Sequence, residues 1–325
     1  MNTCKALVVR NEPVFSVAVE SIPRPEPGPG EVLLQVQWSA VNYKDALALS
    51  EKGGVIRNYP MTPGIDLAGI VVESRDPAFP AGLPVLVTGY GLGVSRSGGL
   101  SDFQAVPVDW LVPLPTNLSP REAATIGTAG FTAALAVRAV TAKTTPEQTI
   151  LVTGASGGVG SFAIALLAQL GYKNITAVSR KPEAVKQLTE LGANRVIRPE
   201  ELLSDQPRPL SKQLFHGVID TVGGDLLAQI LPAVYYGGVA ALCGNAGGIK
   251  LTTTVLPFIL RGITLSGIDS VNVPMTLRRA IWQELADDLH FLQQLPVTEI
   301  ALADVPATAQ ALLAGSHSGR TIVKL

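Results

Sequence analysis

The stretch that decides the fold is residues 150–161, which read Ile150-Leu151-Val152-Thr153-Gly154-Ala155-Ser156-Gly157-Gly158-Val159-Gly160-Ser161. An apolar run, typical of a buried strand, leads directly into a glycine cluster, and a second apolar run follows at residues 162–170. This order predicts a strand, a tight turn and a helix whose free N–H groups and dipole bind an anion. We therefore expect a dinucleotide-binding turn formed by Gly154, Ser156, Gly157, Gly158 and Val159.

Apolar strand candidates recur after this turn, with spacers of helical length between them. They lie at residues 175–179, 195–197, 218–222, 239–243 and 263–268. Together with residues 150–153 they indicate a doubly wound parallel sheet of the Rossmann type. Earlier in the chain, short strand candidates at residues 5–9, 31–41, 66–73 and 84–88 are separated by Pro and Gly. The fold class we expect is α/β, with the Rossmann sheet inserted into a β-rich domain.

The change of pattern between these two regions falls near Ser119. Ser119, Pro120 and Glu122 stand at the cap, first and third positions of a helix, which is a capping box with proline where its missing N–H costs least. Residues 276–295 read as a helix, and residues 320–324 read as a strand that has no partner in the six-strand unit. We expect that strand to return to the first domain. The predicted domains are residues 1–118 plus 271–325 and residues 119–270.

The end of the second predicted strand in the sheet points to a particular dinucleotide. Enzymes that prefer NAD usually carry a carboxylate there, which binds the ribose 2′-hydroxyl. This chain has Ser179, Arg180 and Lys181 instead, and two cations with a hydroxyl suit the 2′-phosphate of NADPH. Arg195 is a further candidate for that phosphate. The alternative interpretation is a solvated basic turn.

Two other enzyme classes share a glycine cluster of this kind. The segment from Gly154 to Gly158 also fits the G-x-S-x-G nucleophile elbow of hydrolases, for which His290 or His317 could nominally complete a triad. The sequence has no His-Gly-Gly oxyanion segment, which argues against a hydrolase, and we interpret His216 as a surface histidine. A short-chain dehydrogenase would need a Tyr-x-x-x-Lys motif, and none of the six tyrosines has a lysine four residues later.

Composition limits the remaining classes. The 25 basic and 26 acidic residues leave a net charge of −1, which offers no general attraction for nucleic acid or an anionic membrane. Cys4 and Cys243 are the two cysteines, too few for a disulfide framework or a four-cysteine zinc site, and we interpret Cys243 as a small buried residue. The apolar stretches are shorter than the roughly 18 residues of a membrane span, and residues 1–10 show no apolar signal region. We expect a cytoplasmic protein.

Several motifs in the β-rich region resemble the medium-chain dehydrogenase/reductase superfamily. They are Asn42-Tyr43-Lys44-Asp45, Pro63-Gly64-Ile65-Asp66-Leu67-Ala68-Gly69 and Gly98-Gly99-Leu100, ahead of a mid-chain Rossmann unit. The chain is similar, nearly end to end, to the YhdH-type quinone oxidoreductase branch, which includes NADPH-dependent acrylyl-CoA reductases. Residues 38–47, 127–132, 153–160, 219–223 and 254–261 carry that similarity. The resemblance implies a GroES-like catalytic domain of β-rich structure.

The resemblance also implies that no metal is bound. Zinc-dependent members of the superfamily hold the metal with Cys and a Gly-His-Glu segment, and the corresponding stretch here is Gly64-Ile65-Asp66. The chain has three His in all, and none lies in residues 1–215. We expect an NADPH-dependent enzyme without zinc.

Without a metal to polarise a bare ketone, conjugate addition of hydride to an activated C=C remains feasible. We therefore expect hydride transfer from NADPH to the β-carbon of a small enoyl thioester, as in the conversion of acrylyl-CoA to propionyl-CoA. Tyr43, beside Asn42 and Asp45 at the end of a predicted strand, is the candidate proton donor. It could equally serve only to shape the nicotinamide pocket.

The resemblance implies further residues along the cofactor path. They are Tyr43, Thr128, Gly154, Ser156, Gly157, Gly158, Val159, Ser179, Arg180, Lys181, Arg195, Asn245, Ile259, Ser270 and Arg320. The phosphate-binding turn of the branch commonly reads Ser-Gly-Arg, so Arg180-Lys181 is a departure, and Asn245 replaces a usual leucine. The candidate basic residues for binding the phosphates of CoA are Lys44, Lys52, Arg57 and Arg261.

Alternative functions remain open from the sequence. The enzyme could reduce free quinones or other enals and enones, and a remote alternative is an NADPH-binding protein without catalytic activity. Nucleic acid and membrane are not expected partners, because the chain has no basic stripe. Relatives pair through the sixth strand of the cofactor sheet, here residues 263–268, and we expect a homodimer.

Overall fold

The computed structural model describes residues 3–325, which form two compact units. The first unit comprises residues 3–128, Val271–Leu292 and Pro296–Leu325, and the second comprises Ala129–Ser270 and Gln293–Leu295. The domain bounds 1–118, 119–270 and 271–325 stay a prediction, and residues 1 and 2 of the first predicted domain lie outside the described part.

The structure contains both strands and helices, as an α/β fold requires. The described strands are β1 (Thr3–Arg10), β2 (Ser16–Pro23), β3 (Glu31–Val41), β4 (Asp66–Glu73), β5 (Pro84–Thr88), β6 (Phe103–Pro107), β7 (Val112–Pro113), β8 (Thr149–Val152), β9 (Asn174–Val178), β10 (Arg195–Ile197), β11 (Phe215–Asp220), β12 (Val234–Leu242), β13 (Thr264–Gly267), β14 (Val297–Ala301) and β15 (Arg320–Lys324). The α-helices are α1 (Tyr43–Ala48), α2 (Pro120–Thr141), α3 (Gly158–Gln169), α4 (Val185–Glu190), α5 (Gly224–Ile230), α6 (Leu256–Arg261), α7 (Met275–Asp287) and α8 (Val305–Leu313).

The second unit is built on a six-stranded parallel sheet. Its strand order is β10-β9-β8-β11-β12-β13, so the chain starts in the middle, runs to one edge, and then returns to build the other half. This is the order of a Rossmann fold, and the point of reversal between β8 and β11 is where such sheets bind dinucleotides. Strand residues such as Leu151, Val178, Val218 and Ala240 are buried in its core. The predicted doubly wound sheet is confirmed.

The strand pairs of the first unit are antiparallel, except that β14 and β15 are parallel. β1 pairs with β2, while a larger sheet has the order β14-β15-β3-β4-β5-β7 with β6 also paired to β3. The last strand, β15, is antiparallel to β3 and places Thr321 opposite Val41. The expectation that residues 320–324 pair with the β-rich region is confirmed. The core of this unit contains Val32, Leu34, Leu67 and Val85.

Helix α2 starts where the sequence predicts. The carboxylate of Glu122 accepts a hydrogen bond from the Ser119 N–H at 2.8 Å, and the Glu122 N–H donates to the Ser119 hydroxyl at 3.2 Å, so the capping box forms. Within the helix Gly127 has φ 48° and ψ −158°, which breaks the helical path. Directly after this break, the Thr128 N–H donates to the Asp66 carboxylate.

Two sequence expectations about helices need correction. α7 ends at Asp287, and a separate short 3-10 turn covers His290–Gln294, so residues 276–295 are not one helix. α2 is long and apolar enough to cross a membrane by length and composition, so the expectation that every apolar stretch is too short is wrong there. Small and hydroxyl-bearing residues interrupt its apolar runs in the sequence without ending the helix. In its most apolar window 72% is buried, and a core helix of a soluble protein passes the same test, so this is weak evidence for a span.

Candidate active site

The glycine turn of the second unit lies between β8 and α3 at the carboxyl end of the sheet. Gly157 donates its N–H to the Gly154 carbonyl at 2.9 Å, and Gly157 then caps α3. The first helical hydrogen bond of α3 runs from the Ser161 N–H to the Gly157 carbonyl. The amides of Gly158, Val159 and Gly160 therefore precede the helical hydrogen-bond ladder, as they do where a helix N-terminus binds a phosphate.

Two positions in this turn accept only glycine. Gly154 has φ +56°, and a Cβ there would lie 2.1 Å from the Thr221 hydroxyl oxygen. A Cβ on Gly160 would lie 2.5 Å from the carbonyl oxygen of Gly154 and 2.7 Å from the Cα of Ala155. The glycines thus allow the sharp turn and the close packing of helix on strand that a dinucleotide site needs.

The predicted phosphate-binding residues lie beside this turn. The Ser179 hydroxyl donates to the Ser156 hydroxyl at 3.3 Å and accepts a hydrogen bond from the Lys181 N–H at 3.2 Å. Burial lowers the pKa of Lys181, and the positive charge of Arg180 adds to that effect, while Glu183 opposes it. Arg180 is exposed. The absence of a carboxylate at positions 179–181 leaves room for a charged phosphate next to these two cations.

The other predicted residues of this unit are more scattered. Arg195 is exposed and forms an ion pair with Glu201 at 3.2 Å, so part of its charge is already compensated. Asn245 is exposed in the loop after β12, Ile259 projects from α6 with 68% of its surface exposed, and Ser270 accepts a hydrogen bond from Thr132. These roles stay predictions.

Arg261 has structural partners. Its guanidinium donates to the carbonyls of Pro232 and Val234, and also to the Ser211 carbonyl at 2.5 Å. These contacts join the end of α6 to the loops before β11 and β12. They favour a structural role, and the predicted contact with CoA stays a prediction.

In the first unit the predicted catalytic residues directly follow the end of β3, as expected, and they also stand at the start of helix α1. Asn42 is the N-cap of α1, and its N–H donates to the Asp45 carboxylate at 2.8 Å. Tyr43 is the first residue of the helix, with 37% of its surface exposed. Asp45 is fully buried and also accepts the Ile65 N–H at 2.9 Å. The cap therefore fixes where the Tyr43 phenol leaves the backbone.

Asp66 is the centre of this buried cluster, and sequence reasoning did not identify it as a site residue. Its carboxylate accepts hydrogen bonds from the Asn42 side-chain amide at 2.8 Å, the Thr128 N–H at 2.9 Å and the Thr128 hydroxyl at 2.5 Å. The Ser39 hydroxyl donates to its backbone carbonyl. The signal that could have found it is its place in the motif Gly64-Ile65-Asp66, where zinc-dependent relatives carry a metal-site carboxylate.

Arg320 closes the cluster from the opposite side. Its guanidinium donates to the Asn42 side-chain oxygen at 2.8 Å and to the carbonyls of Thr125 and Ala124 at 2.9 and 3.0 Å. It lies 3.6 Å from the Asp66 carboxylate. Because these partners surround a fully buried guanidinium, its role in cofactor binding stays a prediction, and its observed contacts are with the protein.

The charges of this cluster affect one another. Burial raises the pKa of Asp45 to about 6, and the nearby negative charge of Asp66 acts in the same direction, whereas hydrogen bonds from Asn42 and Ile65 oppose the shift. Burial lowers the pKa of Arg320, and the charges of Asp66 and Asp45 oppose that effect. Two carboxylates and one guanidinium therefore share a space from which water is excluded.

The remaining predicted cations of this unit are on its surface. Lys52 and Arg57 are exposed, and Lys44 is half-buried in α1 next to Tyr43. Their predicted contact with CoA stays a prediction. Within residues 3–325, no group of three or more His, Cys, Asp or Glu side chains is arranged to hold a metal ion.

Two residues from the sequence analysis have clear environments in the second unit. His216 is partly exposed, and its ring stacks on Tyr235 at 4.0 Å while its Nδ1 accepts the Thr149 N–H at 3.2 Å. Burial lowers its pKa. Burial raises the pKa of Cys243 to about 12, so its thiol is not a nucleophile near neutral pH.

The sheet order and the glycine turn in one unit, with a buried polar cluster around an exposed tyrosine in the other, define a dinucleotide-binding oxidoreductase. The family "Alcohol dehydrogenase GroES-like domain" matches residues 28–116, and the family "Zinc-binding dehydrogenase" matches residues 158–289.

Individual relatives cover nearly the whole chain. The chain is 49% identical over 300 residues to "Probable acrylyl-CoA reductase AcuI" of Escherichia coli (strain K12), covering 91% of each. It is 45% identical over 320 residues to "Putative quinone oxidoreductase YhfP" of Bacillus subtilis (strain 168), covering 97% of each. A crystal structure of that B. subtilis protein with NAD bound has a TM-score of 0.94 at 44% identity and covers 100% of both chains. The yhdH oxidoreductase from Salmonella enterica in complex with NADP gives 0.94 at 47% identity, covering 99% of both.

The chain belongs to the medium-chain dehydrogenase/reductase superfamily and, within it, to the group of YhdH- and AcuI-type oxidoreductases. The GroES-like β-rich domain and the Rossmann sheet expected from the sequence are confirmed.

Proposed function

We propose that this enzyme reduces the activated C=C of a small enoyl thioester with NADPH, of the type that converts acrylyl-CoA to propionyl-CoA. The observation that carries the proposal is the 49% identity, over 91% of both chains, to a relative named as a probable acrylyl-CoA reductase. The geometry of the two units supports it in separate ways, through the cofactor turn and through the cluster that holds Tyr43.

The residues of the second unit fit NADPH. At Gly154 and Gly160 the turn before α3 has no space for a side chain, so its backbone can approach a dinucleotide closely. Ser156, Ser179, Arg180 and Lys181 offer hydroxyls and positive charge to a 2′-phosphate, and positions 179–181 carry no carboxylate that would prefer a free 2′-hydroxyl. Bound NADPH would supply the hydride that adds to the β-carbon of the thioester.

The residues of the first unit would control the position of a proton donor. Asn42 and Asp45 cap α1 and fix Tyr43 at its first position, so that the phenol points from a rigid helix start. In this proposal Tyr43 either donates a proton toward the α-carbon or shapes the nicotinamide pocket. Tyr43→Phe separates the two: an unchanged rate of turnover excludes the donor role, and a large fall in kcat with little change in KM supports it.

The reaction we propose does not need zinc. Where zinc-dependent relatives hold the metal with a Gly-His-Glu segment, this chain has Ile65 and Asp66, and the Asp66 carboxylate already accepts hydrogen bonds from Asn42 and Thr128. An apolar side chain and a saturated carboxylate are a poor donor set for zinc. Treatment with a chelator should therefore leave turnover unchanged.

The direct test measures oxidation of NADPH by the purified, chelator-treated protein. Acrylyl-CoA and crotonyl-CoA are compared with a simple quinone, and NADH replaces NADPH in a parallel series. Saturable turnover of acrylyl-CoA with a preference for NADPH supports the proposal. Turnover confined to quinones contradicts it and favours the second candidate, a quinone oxidoreductase, which the name of the B. subtilis relative also suggests. Binding of NADPH without any turnover would favour the remote alternative of a non-catalytic protein.

We also propose a cytoplasmic homodimer. β13 is the edge strand of the second unit and, among the described strands, pairs with β12 alone. Val255 and Ile259 of the neighbouring α6 region expose 65% and 68% of their surfaces, so pairing of two copies along this edge would cover unpaired backbone and apolar surface together. Light scattering tests this, and a monomer at working concentration contradicts it.

A further inference from the structure

The turn that ends β11 contains two residues to which no function has been attached, Asp220 and Thr221. Asp220 is completely buried, with 0% of its surface exposed. Its carboxylate accepts hydrogen bonds from the Thr153 hydroxyl at 2.6 Å and from the Gly223 N–H at 2.7 Å. Thr153 directly follows the end of β8 and immediately precedes Gly154. The carboxylate therefore joins the ends of the two strands that flank the point of reversal in the sheet.

Thr221 adds a second pair of hydrogen bonds between the same two turns. Its N–H donates to the Thr153 hydroxyl at 3.0 Å, and its own hydroxyl donates to the Thr153 carbonyl at 2.9 Å. The Thr153 side chain and carbonyl are thus both held by the β11 turn. Because the peptide that follows this carbonyl leads into Gly154, these bonds fix the direction in which the glycine turn leaves the strand.

Thr221 packs so closely against two neighbouring turns that neither has space for a side chain at its glycine. Its hydroxyl oxygen occupies the place where a side chain on Gly154 would begin, at 2.1 Å from an ideal Cβ. On its other side, a Cβ on Gly244 would lie 2.1 Å from the Thr221 carbonyl oxygen. Thr221 therefore lies between the glycine of the β8 turn and the glycine of the β12 turn, in contact with both backbones.

We propose that Asp220 and Thr221 are positioning residues that hold the turn from Thr153 to Gly157 in the shape that binds the pyrophosphate of the dinucleotide. The inference rests on the proposed NADPH dependence, and it assigns the β11 turn a role in cofactor affinity and not in the chemical step. A buried carboxylate that accepts two hydrogen bonds is well suited to hold neighbouring groups in place, because water does not compete for these bonds.

Thr221→Val, which removes the hydroxyl at nearly constant volume, is the principal variant. We expect the Kd and the KM for NADPH to rise about tenfold, while kcat stays within about twofold, because a displaced turn weakens binding at the pyrophosphate alone. Thr221→Ser keeps the hydroxyl and should restore the wild-type Kd. Thr144→Val is the matched control, since the Thr144 hydroxyl donates to the Val140 carbonyl in the same unit but before the start of β8.

A measurement on the cofactor-free protein keeps this inference separate from the proposed function. Hydrogen–deuterium exchange of a peptide that covers residues 153–161 should be faster in Thr221→Val than in the wild type and in Thr144→Val. Asp220→Asn should show the same change, which provides a second variant if one of them folds poorly. Equal exchange and equal Kd in Thr221→Val and wild type would overturn the positioning role. A wild type that binds neither NADPH nor NADH would overturn the proposed function, while the exchange result would still decide whether Thr221 holds the turn.

Discussion

The guanidinium of Arg320 and the carboxylate of Asp66 lie 3.6 Å apart, with 2% and 1% of their side chains exposed. The two residues are 254 positions apart in the chain, and they meet because β15 pairs with β3 while β4 pairs with the other side of β3. The Asn42 side chain bridges them, donating to Asp66 and accepting from Arg320. The cap of the helix that carries Tyr43 therefore depends on this buried pair.

Removal of the Asp66 charge should destabilise the first unit. Asp66→Asn leaves the Arg320 guanidinium without its opposite charge in a dry environment, and we expect a loss of about 3 kcal/mol in the free energy of unfolding. Glu299→Gln is the control, because Glu299 pairs with Arg121 at the surface and should contribute less than about 1 kcal/mol. Chemical denaturation measures both. Equal losses would show that the buried pair has no special contribution.

Crowding at Gly127 should be measurable separately from its backbone strain. A Cβ at Gly127 would lie 2.5 Å from both the Arg320 guanidinium and the Asp66 carboxylate, and its φ is +48°. Gly30 also has positive φ, at +74°, but a Cβ there would meet nothing within 4 Å. We expect Gly30→Ala to cost about 1 kcal/mol from strain, and Gly127→Ala to cost about 2 kcal/mol more because the cluster must move. Thermal or chemical unfolding that gives the same loss for both variants would contradict the described contact.

Asp45 should make stability depend on pH in a defined window. Its pKa in the folded protein is about 6, above the ordinary value of 3.8, so between these values the folded state retains a proton that the unfolded state has released. Its contribution to stability is therefore complete below the ordinary value and is lost as the pH rises through about 6. Relative to Asp45→Asn, the wild type should lose up to about 3 kcal/mol across this window. A difference that is constant with pH, or that grows in favour of the wild type as pH rises, would refute the shift.

The choice between NADPH and NADH should depend on the cations after β9. Combined Arg180→Ala and Lys181→Ala should lower kcat/KM for NADPH about 100-fold and leave the value for NADH nearly unchanged, because only NADPH carries the 2′-phosphate. Lys186→Ala, an exposed residue of α4, is the control. The measurement is informative because related structures contain NADP in one case and NAD in another. Equal losses with both cofactors would place these cations outside phosphate recognition.

The sequence predicted the second unit better than the first. The glycine turn and five further apolar runs identify the parallel sheet, since buried parallel strands read as continuous apolar runs between helical spacers. In β3, which the sequence also predicted as a strand, neighbouring residues such as Val32 and Leu33 are both buried, so both of its faces are covered. Strands β6, β7 and β14 have five, two and five residues, which is too short for a periodicity that indicates a sheet.

The candidate site was predictable only in part. Asn42 and Asp45 have the spacing of a helix cap, and that pattern could have placed Tyr43 at the start of a helix. The contacts of Asp66 with Asn42, Thr128 and Arg320 join four distant parts of the chain, and no local pattern predicts such contacts. Arg261 illustrates the opposite case, because a cation near an expected ligand path donates to backbone carbonyls that the sequence does not reveal.

The central claim is that hydride passes from NADPH to the β-carbon of an enoyl thioester. The most direct measurement uses NADPH that carries deuterium at the transferred position of the nicotinamide ring, with acrylyl-CoA as substrate, and locates the label in the propionyl-CoA product by mass spectrometry or NMR. The account predicts one deuterium at the β-carbon and a solvent-derived hydrogen at the α-carbon. Propionyl-CoA without the label at the β-carbon, or no propionyl-CoA at all, would contradict it.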